Sequence, residues 1–474
     1  MRPGEGARTR SARRVAVLIG LCCVGLGTGP TVARGAGLVS PAWARHTVGP
    51  ANAVVAGAAL GVSPDGSRIF VTTRSGAGLD DYDTVAYDAH GHRLWERRYD
   101  GPDHLAAGPT ALAVSPGGAR VFVTGHIEGA TTGDDYATIA YQARTGATLW
   151  TARYDGEEGS ADDAASSIGV SPDGSRVFVT GTSGAGDDLA TVAYDAVTGS
   201  QQWVTRYAPP DGGGYFDGAG ELGVSPDGSR VFVTGSNAPF EDSWIDYTTI
   251  AYDALTGVEL WARIYNGPGN GIDQAHELVV TPDGSGVIVT GSSEGALGDP
   301  NFATVRYDAV TGDQVWVRRY DGPHNAYDYP TDIGVSPDGS RVFVTGTSYR
   351  YGGDDGNFTT VAYTGAGNEL WSRRYDGPAS GDDVASALAV SPDGSAVFVT
   401  GQTKTPTGDG LGTMAYDATT GVQLWSARYE QPGWRGLDRV GALRVSPGGG
   451  RVYVTGLTHE GDSSVYTTVA YRVP

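Results

Sequence analysis

The feature that most constrains this chain is a tetrapeptide that returns at a near-constant interval. Ser/Thr-Pro-Asp/Gly-Gly occurs eight times, with its prolines at Pro64, Pro116, Pro172, Pro226, Pro282, Pro337, Pro392 and Pro447. The spacings are 52, 56, 54, 56, 55, 55 and 55 residues. A period of 50-odd residues rich in short Val/Phe/Thr/Tyr runs predicts propeller blades, not a short-repeat solenoid. It also overrides the length of 474 residues as a guide to domain number, because a repeat array can be one domain of any length.

Each repeat reads as four strands, a to d. In the third, strand a is Ile168–Ser171, and Pro172-Asp173-Gly174-Ser175 is a turn in which Pro sets φ and Gly takes a positive one. Strand b is Arg176–Thr180, strand c is Ala190–Tyr194 and strand d is Gln202–Tyr207. Strand b is apolar on both faces, as a strand between neighbouring blades should be. The 74 glycines and 25 prolines therefore mark turns, not disorder. No stretch carries a sustained helical period, so the fold class is all-β: an eight-bladed β-propeller of four antiparallel strands per blade.

Counting strands predicts how the ring closes. Strands a, b and c occur eight times and the last set ends at Tyr471, but only seven copies of strand d follow them. The eighth lies at the other end, where Ala42-Trp43-Ala44-Arg45-His46 matches Leu260-Trp261-Ala262-Arg263-Ile264. From Ala42 to Gly66 is 25 residues, as from Leu260 to Gly284. The N-terminal strand is thus expected to complete the last blade and remove an open seam.

Residues 1–36 read as a secretory signal. Arg2, Arg8, Arg10, Arg13 and Arg14 precede an apolar run of 12 residues, Val15–Leu26, which is too short for a stop-transfer helix. Cleavage is expected after Ala33 or near Ala36, and Arg13-Arg14 leaves the general and twin-arginine routes both open. Residues 37–474 would form a single propeller domain. Both cysteines, Cys22 and Cys23, fall in the apolar run. Leu21 before them argues against a lipid anchor, and the exported chain would carry no disulfide. Residues 1–36 hold six Arg and one Glu, so the remainder carries 27 basic and 53 acidic residues, a net of −26. Nucleic acid and membrane insertion are therefore not expected. A secreted, extracellular or periplasmic monomer is.

Eight tryptophans open strand d: Trp43, Trp95, Trp150, Trp203, Trp261, Trp316, Trp371 and Trp425. They are expected to pack between blades. An arginine series follows them (Arg45, Arg98, Arg153, Arg206, Arg263, Arg319, Arg374, Arg428) and is expected to pair with repeat aspartates.

The unit Asp-Tyr-Ala-Thr…Ala-Tyr-Asp…Thr-Gly…Trp, then Arg-Tyr-Asp-Gly and Val-Ser-Pro-Asp-Gly…Val-Phe-Val-Thr-Gly, resembles bacterial extracellular SBBP- and YVTN-type propeller repeats over nearly the whole exported chain. That resemblance implies a fold and an exterior location. Ala193–Trp203 and Ala251–Trp261 are also similar to the tryptophan-docking motif of quinoproteins that bind pyrroloquinoline quinone (PQQ), which are eight-bladed too. Those enzymes usually add a vicinal disulfide, a calcium-binding Glu/Asn and a catalytic Asp, and no position here matches them. No cofactor is expected, PQQ included.

The a–b and c–d turns are short and uniform, so variation concentrates on the face carrying the b–c and d–a loops. Trp244, Trp434, Tyr215, Phe216, Tyr327, Tyr329, Tyr349 and Tyr351 fall in loops of that face and are the candidate ligand-binding residues. Aromatics beside carboxylates suit a protein or a carbohydrate partner. Acidic pairs on the same face include Asp134-Asp135 and Asp354-Asp355; turn capping and Arg pairing are the expected reason for them, with weak Ca²⁺ ligation as the alternative. His104, His126, His276, His324 and His459 map to this side without metal-ligand spacing. No nucleophile elbow, phosphate loop or His-Glu-x-x-His is present. The leading expectation is a non-catalytic propeller that binds a protein or glycan; the alternative is an exported PQQ-like or polysaccharide-acting enzyme.

Overall fold

The computed structural model describes residues 37–474 except 49–55, 77–79, 103, 157–160, 185–187, 208–213, 240–244, 324, 351–354, 407, 431–433 and 461–462. Side chains of residues 48, 56–58, 75, 214–219, 238–239, 434–439, 459–460 and 463–464 are also outside that description. Signal, cleavage site and both cysteines lie outside the described residues. Every described element is a strand, and the strands form eight sheets.

Seven blades are contiguous in sequence with sheet order a-b-c-d: residues 56–99, 107–154, 163–207, 214–265, 273–320, 328–375 and 384–429. Blade 8 takes strands a to c from residues 434–472 and strand d from Pro41–Val48. Trp43 pairs with Ala470 and Thr47 with Tyr466, antiparallel. Strand a of each blade packs beside strand a of the next, first against last, so these strands line the axis. The N-terminus also does something the repeat count does not foresee. Gly37–Leu38 adds a parallel fifth strand to blade 7, opposite Trp425 and Ser426.

Strand a is longer than its apolar core suggests. In blade 3 it begins at Asp163, and its register slips between Ala165 and Ser167. The same slip recurs at Pro109/Ala111, Ala275/Glu277, Pro330/Asp332, Ala385/Ala387 and Val440/Ala442. This bulge drives the backbone onto strand b, which answers with the glycine of Val-Thr-Gly. A Cβ on Gly181 would stand 2.1 Å from the Ala164 carbonyl oxygen, and one on Gly125 2.0 Å from that of Gly108. Blade 1 departs from the rule. Thr73 replaces the glycine, the slip moves to Ala56/Ala58, and Asp83 faces Thr73 across the ladder.

The repeat turns are held by their own side chains. In Ser63-Pro64-Asp65-Gly66-Ser67, Asp65 Oδ1 accepts from the Ser63 hydroxyl at 2.5 Å and from Ser67 N–H at 3.0 Å. Those bonds, led by Ser63, lower its pKa to about 2.

Eight apolar clusters account for the ring, one at each interface. Each tryptophan reaches into the following blade. Trp150 lies against Phe122 of its own blade and Tyr194 of the next, at centroid distances of 5.8 and 6.2 Å. Its indole N–H donates to the Ala196 carbonyl at 3.2 Å. Gly199, at φ 74°, gives it room, since a Cβ there would stand 2.6 Å from the ring. Trp43, Trp95, Trp203, Trp261, Trp316 and Trp371 repeat the bond. Trp425 does not: among the described residues its buried N–H has no acceptor. Val39 and Val473 pack against the cluster containing Trp425 instead. Burying one such ring is worth about 4–6 kcal/mol gross.

The arginine series divides in two, which corrects the single pairing expected of it. Two residues after Trp, Arg45, Arg97, Arg263, Arg318 and Arg373 donate to the docking-glycine carbonyl of the next blade. Three residues after Trp, Arg98, Arg153 and Arg206 pair with Asp81, Asp135 and Asp188. Arg319 and Arg374 occupy the same place but donate to the Ser293 and Ser348 carbonyls, since strand c there carries Asn301 and Asn357. Arg45 and Arg263 thus bridge blades and do not pair with aspartates.

Candidate functional site

Three carboxylates meet on the axis. The residue five before the repeat proline is Ala59, Ala111, Ser167, Glu221, Glu277, Asp332, Ala387 and Ala442 in blades 1 to 8. Following the bulge, this position turns toward the channel, so Glu221, Glu277 and Asp332 come from three successive blades into one cavity of about 240 Å³. Arg444 of blade 8 lines the same cavity. A wider cavity of about 420 Å³, bordered by His276, Gln402 and Val440, shares Glu277 and Gly441 with it.

The acids are tethered unequally. Ser167 Oγ donates to Glu221 Oε1 at 2.8 Å. Asp332 Oδ2 accepts the Leu388 N–H of the next blade at 2.6 Å. Burial pushes all three carboxyls up, Glu221 and Asp332 push Glu277 further, and Arg444 pulls all three back. Asp332 settles at about 6. Such a group can hold a cation or a basic side chain, or exchange a proton near neutrality.

A second assembly lies on blade 6, on the b–c/d–a face. Tyr349 N–H donates to the Tyr327 carbonyl at 2.9 Å, which brings the two loops together. Tyr329, which is in strand a opposite Thr347 and not in a loop, stands 6.3 Å from each of the other two rings, edge-on to Tyr349. Tyr327 is 54% exposed and Tyr329 38%. Blade 5 exposes Ile272 and Leu297 on the same face.

The remaining candidates are not assembled with these. Tyr215 and Phe216 are not in a loop but in strand a of blade 4, opposite Ala238 and Asn237. Trp434 opens strand a of blade 8, opposite Glu460. Strand a of both blades runs further than its apolar core because strand b is equally long. Trp244, Tyr351 and Asp354 lie outside the described residues. Asp134 stands opposite Glu128 across the ladder, burial pushes its carboxyl up while the charge of nearby His126 pulls it back, and its N–H donates to Asp162. Asp135 pairs with Arg153, and Asp355 with Arg350 at 3.1 Å. His276 Nδ1 is 2.7 Å from the Pro330 carbonyl.

Sequence reasoning missed Glu221, Glu277, Asp332 and Arg444, although aligning the repeats on their prolines singles out the first three. It also missed Ile272 and Leu297, having weighed only aromatic residues.

The model of the family described as outer membrane protein assembly factor BamB, built on PQQ-like repeats, matches residues 40–296 and 296–466. No curated protein matches the chain. Among solved structures, Sqt1 of Chaetomium thermophilum, bound to the N-terminus of ribosomal protein L10, is 12% identical, with TM-score 0.59 over 90% of this chain and 98% of that one. Quinohemoprotein alcohol dehydrogenase of Comamonas testosteroni is 16% identical, with TM-score 0.52 over 91% and 76%. These likenesses are of fold. The axial cavities do not fit PQQ. It is a flat tricarboxylate, whereas the residues lining the two cavities present three carboxylates against Arg444 and no Trp, Tyr or Phe face for stacking.

Proposed function

Because the chain belongs to the BamB-like family of PQQ-type repeat propellers, we propose that it is an exported, monomeric, non-catalytic scaffold that binds a protein through its b–c/d–a face. The tyrosine group of blade 6 carries this reading. Exposed, mutually supported aromatic rings lose little freedom on binding and are the usual anchors of a protein interface. Ile272 and Leu297 extend the apolar surface. Export rests on the basic, then apolar, residues 1–36 and on the cysteine-free remainder. Among the described residues no helix is long and apolar enough to cross a membrane.

A photo-crosslinking residue at position 327 should give discrete adducts in an envelope extract of the source organism. One at Val310, on the opposite turn face, should not. Tyr327→Ala with Tyr329→Ala should weaken the captured partner at least tenfold. Equal adducts from both faces, or affinity indifferent to both substitutions, would refute the reading. Binding on a glycan array lost in the same variants would replace the protein partner by a carbohydrate.

The axial acids favour a second reading, an enzyme acting on polysaccharide. It requires hydrolysis that Glu277→Gln abolishes without changing the melting temperature.

A further inference from the structure

Where blade 2 meets blade 3, three more carboxylates converge. Asp135 lies in strand c of blade 2 opposite Ile127, Asp155 follows strand d of that blade, and Asp163 opens strand a of blade 3. One oxygen of each lies within 4.8 Å of the others. Asp135 is 0% exposed and Asp163 1%, so these are not solvated surface acids.

Each buried carboxylate uses one oxygen and leaves the other idle. Asp135 Oδ2 takes Arg153 and the Thr132 hydroxyl, and Asp163 Oδ2 takes Gly156 N–H at 2.7 Å. Among the described residues nothing donates to Asp135 Oδ1 or Asp163 Oδ1. The Ser183 hydroxyl, 0% exposed, also has no partner. It belongs to the same space, because a Cβ on Gly156 would stand 2.8 Å from both Ser183 Oγ and Asp163 Oδ1. A buried carboxylate oxygen and a buried hydroxyl left unbonded side by side are costly unless a ligand takes them.

The other described junctions share parts of this arrangement but not its three acids: at 5/6 Asp328 Oδ1 and the Ser348 hydroxyl are likewise without a partner among the described residues, beside Gly322. Each has lost an acid at one of the three positions: Asp81, Asp100 and Ala107 at blades 1/2; Asp246, Asn266 and Asp273 at 4/5; Asn301, Asp321 and Asp328 at 5/6; Asn357, Asp376 and Asp383 at 6/7. At 6/7 the counterpart of the idle oxygen is filled. Asp383 Oδ1 accepts from Thr403 Oγ1 at 2.6 Å and Lys404 N–H at 2.9 Å. Among the described residues of these junctions, 2/3 alone sets three carboxylates against one guanidinium, Arg153, a local balance of −2.

We propose that the junction of blades 2 and 3 is a Ca²⁺ site, with Asp135, Asp155, Asp163 and Ser183 supplying oxygen ligands. The donor set is all oxygen and includes a neutral hydroxyl, which suits a hard cation of high coordination number. It lacks the sulfur or nitrogen that would draw zinc. The ion neutralises the residual charge and ties the exposed Asp155 to two buried partners, clamping the junction.

Titration calorimetry on the chelator-treated exported chain with CaCl₂ should give one site per chain, with a Kd of about 10⁻⁴ M or tighter, and a raised melting temperature. Asp155→Asn, at an exposed position, should weaken binding at least tenfold. Asp135→Asn should do the same, and it copies a residue that the 5/6 and 6/7 junctions already carry. Asp376→Asn, the counterpart of Asp155 at 6/7, should leave binding unchanged. Melting temperatures in chelator confirm that each variant is folded. Absence of saturable Ca²⁺ binding by the wild-type chain overturns the proposal, as does binding that survives both substitutions or is lost equally in Asp376→Asn.

Discussion

Removal of residues 37–48 lowers the melting temperature of the propeller by more than 10 °C or drives it into aggregates. The segment does three things at once. Pro41–Val48 is strand d of blade 8, so its loss strips strand c of its outer partner and leaves an unpaired edge. Trp43 packs against Tyr453 of blade 8 and Tyr87 of blade 1, at 5.9 and 6.2 Å, so its loss opens the interface where the ring closes. Gly37–Leu38 covers the edge of blade 7 beside Trp425, whose N–H finds no acceptor among the described residues. Truncating a docked Trp to Ala costs roughly 3–5 kcal/mol, and the deletion adds the lost ladder to that. Trp43→Ala alone separates docking from strand pairing and should give a smaller, still cooperative, loss. Calorimetry with light scattering checks both; a truncated chain with unchanged melting and solubility excludes closure by this strand.

Replacing Asp83 by Ala stabilises the protein at pH 8 and does little at pH 4. Asp83 is 7% exposed, and among the described residues its Oδ1 accepts no hydrogen bond. Burial, then the charge of Glu96, raises its pKa to about 7, against the opposing pull of Arg98 and Arg93. A carboxyl with a raised pKa holds its proton more tightly in the fold than in the unfolded chain. Its stability contribution is therefore best below the unfolded value of 3.8 and is lost as pH climbs toward 7. The cost above that range is on the order of 2–4 kcal/mol, since each pKa unit is worth about 1.4 kcal/mol. The equivalent residues are Ala137, Ala190 and Ala303 in blades 2, 3 and 5, so alanine fits this place in the ladder. Denaturant titrations at pH 4 and pH 8 should show a gain at the higher pH alone. An equal gain at both would mean that the cost of Asp83 is steric and not ionic.

The eight-fold repetition explains what was visible in advance. A turn such as Ser63–Ser67 is closed by bonds within five residues, so its sequence signature is local and survives in every copy. The outward tryptophan and its glycine recur for the same reason, since each blade solves an identical packing problem. Strand ends were less legible. Tyr215, Phe216 and Trp434 read as loop because strand a continues past its apolar core to match a long strand b. The two arginine roles merged because adjacent strand residues point to opposite faces, and a shift from Arg97 to Arg98 changes the partner from a carbonyl to a carboxylate.

The sequence by itself determined the propeller, its eight blades, the displaced N-terminal strand and the family-wide docking device, because all of these repeat with the period. Only the tertiary structure decided where the exceptions to the repeat meet. Glu221, Glu277 and Asp332 are each more than 50 residues apart, and one ring of bulged inner strands turns them into a single axial group. Asp135, Asp155 and Asp163 become neighbours because an interface between blades folds three strand ends together. A repeat states what every blade must share to pack; the chemistry lies in the positions where one blade differs, and closure of the ring sets which differences touch.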